Sequence, residues 1–283
     1  MNDQNNIGQN TETWDKWWDN LTPRKEIQKW DYYGLRPWIL KFSPRYGLVV
    51  EAGCGLGRWA LYLSKLGISI VGLDFSKSAI NFLNKWKKKN NFDTEFLHGD
   101  VCDTSFDSSS VSGYISLGVI EHFKEGPSKP LEEAYRILRP GGVAIITTPS
   151  VSWFVLYSRI KKKLKNKIKN LLGRKVIVPP FFQYEYNPLT LKKYVAESGL
   201  HISKYSGLDL LYTFSELGKF KGHNIKKGSF AYWFSHKFEN TFLKNWGAQS
   251  VVIAIKKADT MHCFFCGALN ASLESLDIYD VPI

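Results

Sequence analysis

Cysteine is scarce in this chain: four occur, two of them in a Cys263-x-x-Cys266 pair near the end. So few thiols exclude a disulfide framework, and a reducing, cytoplasmic setting is the expectation. Long apolar runs are missing as well. The best candidate, Gly141 to Ser158, is interrupted by Thr147, Thr148, Pro149, Ser150 and Ser152, which excludes a spanning helix of about eighteen apolar residues. The opening MNDQNNIGQN has neither a basic nor an apolar region, so no secretory signal is expected. There is no internal repeat and no low-complexity linker, which leaves one domain with an inserted cap as the simplest division.

Acid is also absent from one stretch. Between Val151 and Val178 stand Arg159, Lys161, Lys162, Lys163, Lys165, Lys167, Lys169, Arg174 and Lys175, and no Asp or Glu. That segment carries most of the net charge of +12. A concentrated positive charge fits an anionic partner such as nucleic acid, a phospholipid surface or a phosphorylated substrate.

What is present is ordinary for a folded protein, except in its rings. Hydrophobic residues make up 44% and charged residues 23%, but aromatics reach 15% with ten Trp. Rings in such number stabilise cores and line pockets for flat or greasy ligands. With 283 residues the chain can bury one substantial core plus an appendage. Residues 1–12 read as a disordered lead. Trp14 to Phe42 forms an aromatic-rich helical segment, with Thr22-Pro23 as a helix start. Apolar β-branched runs then recur at 48–51, 69–74, 94–97, 114–117 and 143–147. Helical patterns separate them at 59–66, 77–90 and 129–138. Such alternation predicts an α/β fold with a parallel sheet and helices on both faces. A helix over 188–198, stopped by Gly199, and strands at 201–207 and 249–256 complete it. The division is then residues 1–44, a domain over 45–257 with a cap at about 151–183, and a tail over 258–283.

The sharpest signal is VVEAGCGLGRWA. A buried strand runs into Gly53-x-Gly55-x-Gly57, and a helix begins near Arg58. Glycines serve where backbone turns tightly and approaches a ligand, and the carboxyl end of a strand is where open α/β sheets bind one. A dinucleotide fingerprint needs its last glycine at position 58, where Arg stands, so the spacing argues against that ligand. Glu51 suits a cationic amino-acid group or orders the loop. Asp74 ends the second strand, where a carboxylate accepts from ribose hydroxyls. Asp100 follows the third, placed to accept from an exocyclic amine.

With these residues in order, the chain resembles the class I S-adenosylmethionine-dependent methyltransferases. The likeness is carried by Glu51-Ala-Gly-Cys-Gly-Leu-Gly57, Asp74, Gly99-Asp100-Val101, Ser116-Leu-Gly-Val-Ile-Glu-His122-Phe and Leu138-Arg-Pro-Gly-Gly142. It implies a Rossmann-like seven-stranded sheet with the last strand antiparallel, and S-adenosyl-L-methionine as cofactor. It assigns Glu51, Gly53, Gly55 and Gly57 to the methionine part, Asp74 to the ribose, and Asp100 with Val101 to the adenine. Phe75 and Leu117 join the cofactor-binding set. Quinone-type O-methyltransferases of this superfamily often carry a further Glu three residues before the Glu-His pair; Gly118 stands there, which puts a catalytic metal in doubt.

Methyl transfer from a sulfonium mainly needs orientation, and a base only when the acceptor must lose a proton. Glu121 and His122 are the catalytic candidates, with His122 as base; the competing reading is a structural histidine bonded to its loop. Trp153, Leu156, Tyr157, Ile160, Leu164, Ile168, Leu171 and Leu172 form an apolar helical stripe among lysines. Residues 153–175 therefore suit an anionic membrane surface, RNA phosphates, or packing on the domain. Phe181, Phe182, Tyr184 and Tyr186 read as a lid over an apolar pocket. Cys263 and Cys266 resemble half of a zinc ribbon, a structural site whose second Cys pair is not in the sequence. The expected function is methyl transfer to a hydroxyl or amine of a small, lipid- or glycan-linked acceptor by a cytoplasmic protein peripheral at the inner membrane face. Two other readings stay open: an RNA methyltransferase, and a noncatalytic protein that binds cofactor or partner. Oligomeric state is not legible.

Overall fold

The computed structural model describes residues 10–18, 23, 34–151, 156–157, 159–161, 163–165, 167, 180–208 and 247–258. Seven strands build one sheet: β1 (Val49–Ala52), β2 (Ile70–Asp74), β3 (Glu95–His98), β4 (Val111–Leu117), β5 (Leu138–Pro149), β6 (His201–Leu208) and β7 (Gln249–Ile255). Their order is β3-β2-β1-β4-β5-β7-β6. The first five run parallel, and β7 lies antiparallel between β5 and β6. This is the expected Rossmann-like architecture, antiparallel last strand included.

Helices α1 (Thr11–Trp18), α2 (Arg36–Phe42), α3 (Arg58–Lys65), α4 (Lys77–Lys89), α5 (Ser128–Ile137) and α6 (Pro188–Glu197) complete the fold. One core contains Ile39 of α2, Leu61 and Leu63 of α3 and Leu83 of α4 against Val49, Ile70 and Ile115. The other sets Leu131, Ala134 and Ile137 of α5 and Leu191 and Val195 of α6 against Val50, Tyr114 and Ile146. Both sheet faces are covered, so β1, β2 and β4 are buried along nearly their whole length. Local capping starts the helices where expected. Ser76 accepts from Ala79 N–H at 3.1 Å to open α4, and Asn187 from Thr190 N–H at 2.9 Å to open α6, with Pro188 next.

Three boundaries differ from the sequence reading. Helix α1 starts at Thr11, capped by Asn10, whose Oδ1 accepts from Glu12 N–H at 2.9 Å; the last two residues of the supposed lead are therefore ordered. Strand β4 begins at Val111 rather than Tyr114, and β5 at Leu138 rather than Val143. Ser112-Gly113 and Gly141-Gly142 look like turns, yet they lie within strands. A Cβ on Gly113 would meet Pro44 Cδ at 3.0 Å, and one on Gly142 the Arg139 carbonyl oxygen at 2.8 Å. Gly113 makes room for Pro44, and Gly141, at φ +78°, lies with Gly142 in the bulge between the Val111–Leu138 and Gly113–Val143 pairs.

Among the described residues no helix is long and apolar enough to cross a membrane. The described part of the cap, between Leu156 and Lys167, is helical. Cys263 and Cys266 lie outside the described residues.

Candidate active site

Strand order reverses between β1 and β4, and the crevice at their carboxyl ends holds the site. Gly53 N–H and Cys54 N–H both donate to the Leu73 carbonyl, at 2.8 and 2.9 Å, and Gly55 N–H donates to Asp74 Oδ2 at 2.8 Å. The glycine loop is thereby clasped to the end of β2. Gly53, Gly55 and Gly57 have φ of +73°, +53° and +68°, which only glycine adopts at little cost. Their missing side chains also leave room for neighbours. A Cβ on Gly53 would stand 2.4 Å from Val119 Cγ2, on Gly55 2.6 Å from the Trp18 ring, and on Gly57 2.6 Å from the Phe96 ring.

Glu51 reaches from β1 to the first turn of α3, where its Oε2 accepts from Ala60 N–H at 2.7 Å. A carboxylate suits the positive end of a helix. Burial nevertheless dominates and pushes the Glu51 carboxyl up to about 8, against the opposing pull of the Ala60 N–H and the Arg58 charge. Asp74 is buried and its carboxyl is likewise raised by burial, offset by the N–H groups of Ser76 and Gly55. Each oxygen already holds one of those bonds, to Gly55 and to Ser76. A carboxylate has about four acceptor positions, so two remain for hydroxyls.

A cavity of about 280 Å³ runs along these residues. Glu51, Gly53 and Gly55 line one part, and Asp74, Phe75, Asp100 and Val101 another, with Leu117 and Gly118 at the β4 end. Asp100 is exposed, with Oδ1 accepting from Cys102 N–H at 2.9 Å, while Val101 is buried. Every residue the sequence assigned to the cofactor lies at or in this cavity or, for Gly57, closes the loop by donating N–H to the Cys54 carbonyl at 2.8 Å. An acidic pair with spare acceptor positions and a loop without side chains fit the amino-acid and ribose parts of S-adenosylmethionine.

The acid–base candidates sit in a single 3₁₀ turn, Ile120–His122, directly after β4. His122 lines the cavity. Its Nδ1 lies 2.9 Å from the Phe182 carbonyl oxygen; a carbonyl only accepts, so Nδ1 donates this bond. Burial lowers the imidazole pKa below its usual value, against the pull of the Phe182 and Gly118 carbonyls. Glu121 is buried and is not among the residues lining the cavity. Burial pushes its carboxyl up to about 8, its Oε1 lies 3.9 Å from His122 Nε2, and its Oε2 has no hydrogen-bond partner among the described residues.

Phe181, Phe182, Tyr184 and Tyr186 act differently from a lid. Tyr184 N–H donates to the Glu121 carbonyl at 2.8 Å, Tyr184 Oη–H to the Lys124 carbonyl at 2.9 Å, and Tyr186 N–H to the Pro149 carbonyl at 2.9 Å. The segment is a strap that holds the turn carrying His122, and none of the four lines the cavity. Besides Trp59, Phe75 and Phe123, the rings that line it are Trp14 and Trp18 of α1. Sequence reading missed them, although two tryptophans four apart on one helix face, in a region rich in rings, were the available signal. A second cavity of about 200 Å³ shares Arg58, Trp59, Leu117 and Gly118 with the first and is bounded by Thr147, Thr148 and Gln249. Among the described residues there is no cluster of three or more His, Cys, Asp or Glu able to hold a metal ion.

Residues 50–146 match the family described as methyltransferase domain. A Mycolicibacterium smegmatis protein named probable S-adenosylmethionine-dependent methyltransferase is 25% identical over 160 residues, which are 56% of this chain and 54% of that protein. The demethylmenaquinone methyltransferase of Oceanobacillus iheyensis is 26% identical over 141 residues, 48% of this chain and 58% of that one. The match thus spans little more than half the length of these relatives. Among solved structures, a SAM-dependent methyltransferase from Methanosarcina mazei superposes with a TM-score of 0.56 at 16% identity, covering 79% of this chain and 98% of that chain. The fold is that of the class I methyltransferases.

Proposed function

We propose that this chain is an S-adenosylmethionine-dependent methyltransferase acting on a hydroxyl or amine of a small acceptor that is lipid- or glycan-linked. One observation carries the reading: a single cavity joins the Glu51–Gly53–Gly55 cradle and Asp74 to His122. The cofactor would supply an electrophilic methyl group on a sulfonium. Glu51 would hold its ammonium and Asp74 its ribose hydroxyls. His122 Nε2 would take the proton that the acceptor releases, its tautomer set by the Phe182 carbonyl. Because burial lowers the imidazole pKa, His122 is a ready acceptor at neutral pH. The second cavity opens at Leu117 and Gly118 beside His122 and offers the hydroxyls of Thr147 and Thr148 and the amide of Gln249 to a small acceptor. The likeness to a demethylmenaquinone methyltransferase favours a lipid-linked one.

Calorimetric titration of the purified chain with S-adenosylmethionine, S-adenosylhomocysteine and NAD tests the cofactor. Micromolar binding of the first two and none of NAD is expected; a folded sample that binds neither overturns the enzyme reading. His122→Ala is expected to lower methyl transfer to an extract acceptor by about 100- to 10,000-fold while cofactor affinity stays within about twofold. Full turnover by that variant would remove His122 from the role of base.

A further inference from the structure

Helix α1 brings two indole rings to a cavity that Trp59, Phe75 and Phe123 also line. Trp18 stands over the glycine loop, its ring 2.6 Å from where a Gly55 Cβ would be. Trp14, one turn earlier, stacks on Trp18 with centroids 5.9 Å apart and on Phe182 at 6.0 Å, and meets the edge of His122 at 4.9 Å. A row of three rings therefore runs from the cofactor cradle to the candidate base. The helix is seated by Asp15, whose Oδ1 accepts from the hydroxyls of Ser76 and, at 2.6 Å, of Ser78. Ser76 N–H in turn donates to Asp74. The position of the row is thus tied to the carboxylate that borders the nucleoside part of the cavity.

A methyl group in transit must lie between the cradle that holds its donor and the base that serves its acceptor. Trp14 is the ring that touches both sides of that path, Trp18 on one and His122 on the other. An indole face attracts a cation by its quadrupole and is indifferent to the charge-free form of the same group. The group in question changes charge during the reaction: the sulfonium of S-adenosylmethionine is positive, and the thioether left after the methyl moves is neutral. The electron pair of the breaking S–C bond stays on sulfur, while the new bond uses a pair from the acceptor, whose proton passes to His122.

Resting on the cofactor assignment above, we infer that Trp14 is a specificity-determining residue that recognises the charge of the sulfonium, so that the site favours the methylated cofactor and releases the spent one. Neither carboxyl group beside the cradle can do this alone. Glu51 and Asp74 face the ammonium and ribose, which the two forms of the cofactor share. Discrimination has to come from a wall that senses the sulfur, and Trp14 is the lining ring that packs on both Trp18, over the cradle, and His122.

The test measures one ratio, the dissociation constant of S-adenosylhomocysteine over that of S-adenosylmethionine, by calorimetry on the full chain. Trp14→Leu is expected to reduce the ratio by about 2- to 30-fold, the range of an aromatic–cation contact, through weaker S-adenosylmethionine binding with little change for S-adenosylhomocysteine. Trp14→Phe keeps a ring with a weaker face and should reduce the ratio by less; it also carries the test should the leucine variant fail to fold. Trp18→Leu should weaken both ligands alike. Equal losses for both ligands in the Trp14 variants would make Trp14 an apolar wall and overturn the inference while leaving the cofactor reading intact. Wild-type chain that binds neither ligand would overturn both.

Discussion

Glu51 shows how one buried side chain can serve structure and ligand at once. Its Oε2 accepts from Ala60 N–H and so fixes α3 against β1, yet burial raises its pKa to about 8, so the free protein holds it protonated at pH 7. A cationic ammonium beside it would favour the ionised form. Cofactor binding near neutral pH should then release up to one proton. Calorimetry in phosphate and in Tris, whose ionisation heats differ, should show it, and affinity should rise between about pH 6 and pH 8 before it levels. The same shift bears on stability. An acid whose folded pKa lies above its unfolded value of 4.5 contributes stability that declines as pH climbs from about 4.5 through about 8. Glu51→Gln keeps an acceptor for Ala60 and removes the ionisable group. It should abolish the proton release, weaken cofactor binding and flatten the fall of melting temperature over that window. Proton release that persists in Glu51→Gln would place the titrating group elsewhere. The carboxylate two residues before the first glycine was legible as a cation holder. Its bond to Ala60 was not, because that depends on how α3 docks.

At the scale of elements, the strand-loop-helix unit from β1 to α3 was readable almost residue by residue, since buried parallel strands are apolar runs and the glycine spacing marks the turn. What could not be read was why each glycine is needed. The Gly53 position has φ +73°, and an added Cβ would lie 2.4 Å from Val119 Cγ2. Two separate penalties follow, backbone strain and a clash, each about 1–3 kcal/mol. Gly53→Ala should therefore lower the melting temperature by several degrees. The double variant Gly53→Ala/Val119→Ala should regain part of that, because it relieves the clash and leaves the strain. No recovery would mean that the backbone alone is responsible. Helix α1 illustrates the opposite case. Its start was hidden in a polar lead, and its role as one aromatic wall of the cavity depends on contacts with Ser76, Ser78 and His122, all distant in sequence. The strap of Phe181–Tyr186 was visible as a ring cluster, but that it grips the His122 turn rather than lining the cavity is a property of tertiary hydrogen bonding.

At the scale of the whole molecule, the excess positive charge was legible as a segment, and the structure adds how its apolar stripe is disposed. Leu156, Tyr157, Ile160 and Leu164 are 51%, 49%, 51% and 57% exposed, so packing on the domain does not consume them. Lys161, Lys163, Lys165 and Lys167 are exposed on the same helical stretch. An exposed apolar stripe among lysines suits the boundary layer of an anionic bilayer, each lysine near the surface contributing ~1 kcal/mol. Arg159 of this stretch pairs with Glu185 at 2.8 Å, within the strap whose Phe182 carbonyl orients His122. A surface that engages the helix would therefore bear on the strap and bring a lipid-linked acceptor close to the base. The expectation is flotation of the chain with vesicles containing anionic phospholipid, weaker flotation at high salt, and little with zwitterionic vesicles. Reversing Lys161, Lys162, Lys163 and Lys165 to Glu should abolish flotation without changing S-adenosylmethionine affinity. Flotation that survives the reversal would sink the membrane assignment. Salt-sensitive binding of RNA that the reversal removes, with no flotation in the wild type, would move the acceptor to nucleic acid, since the same lysines would then be reading phosphates on a polynucleotide rather than on a bilayer.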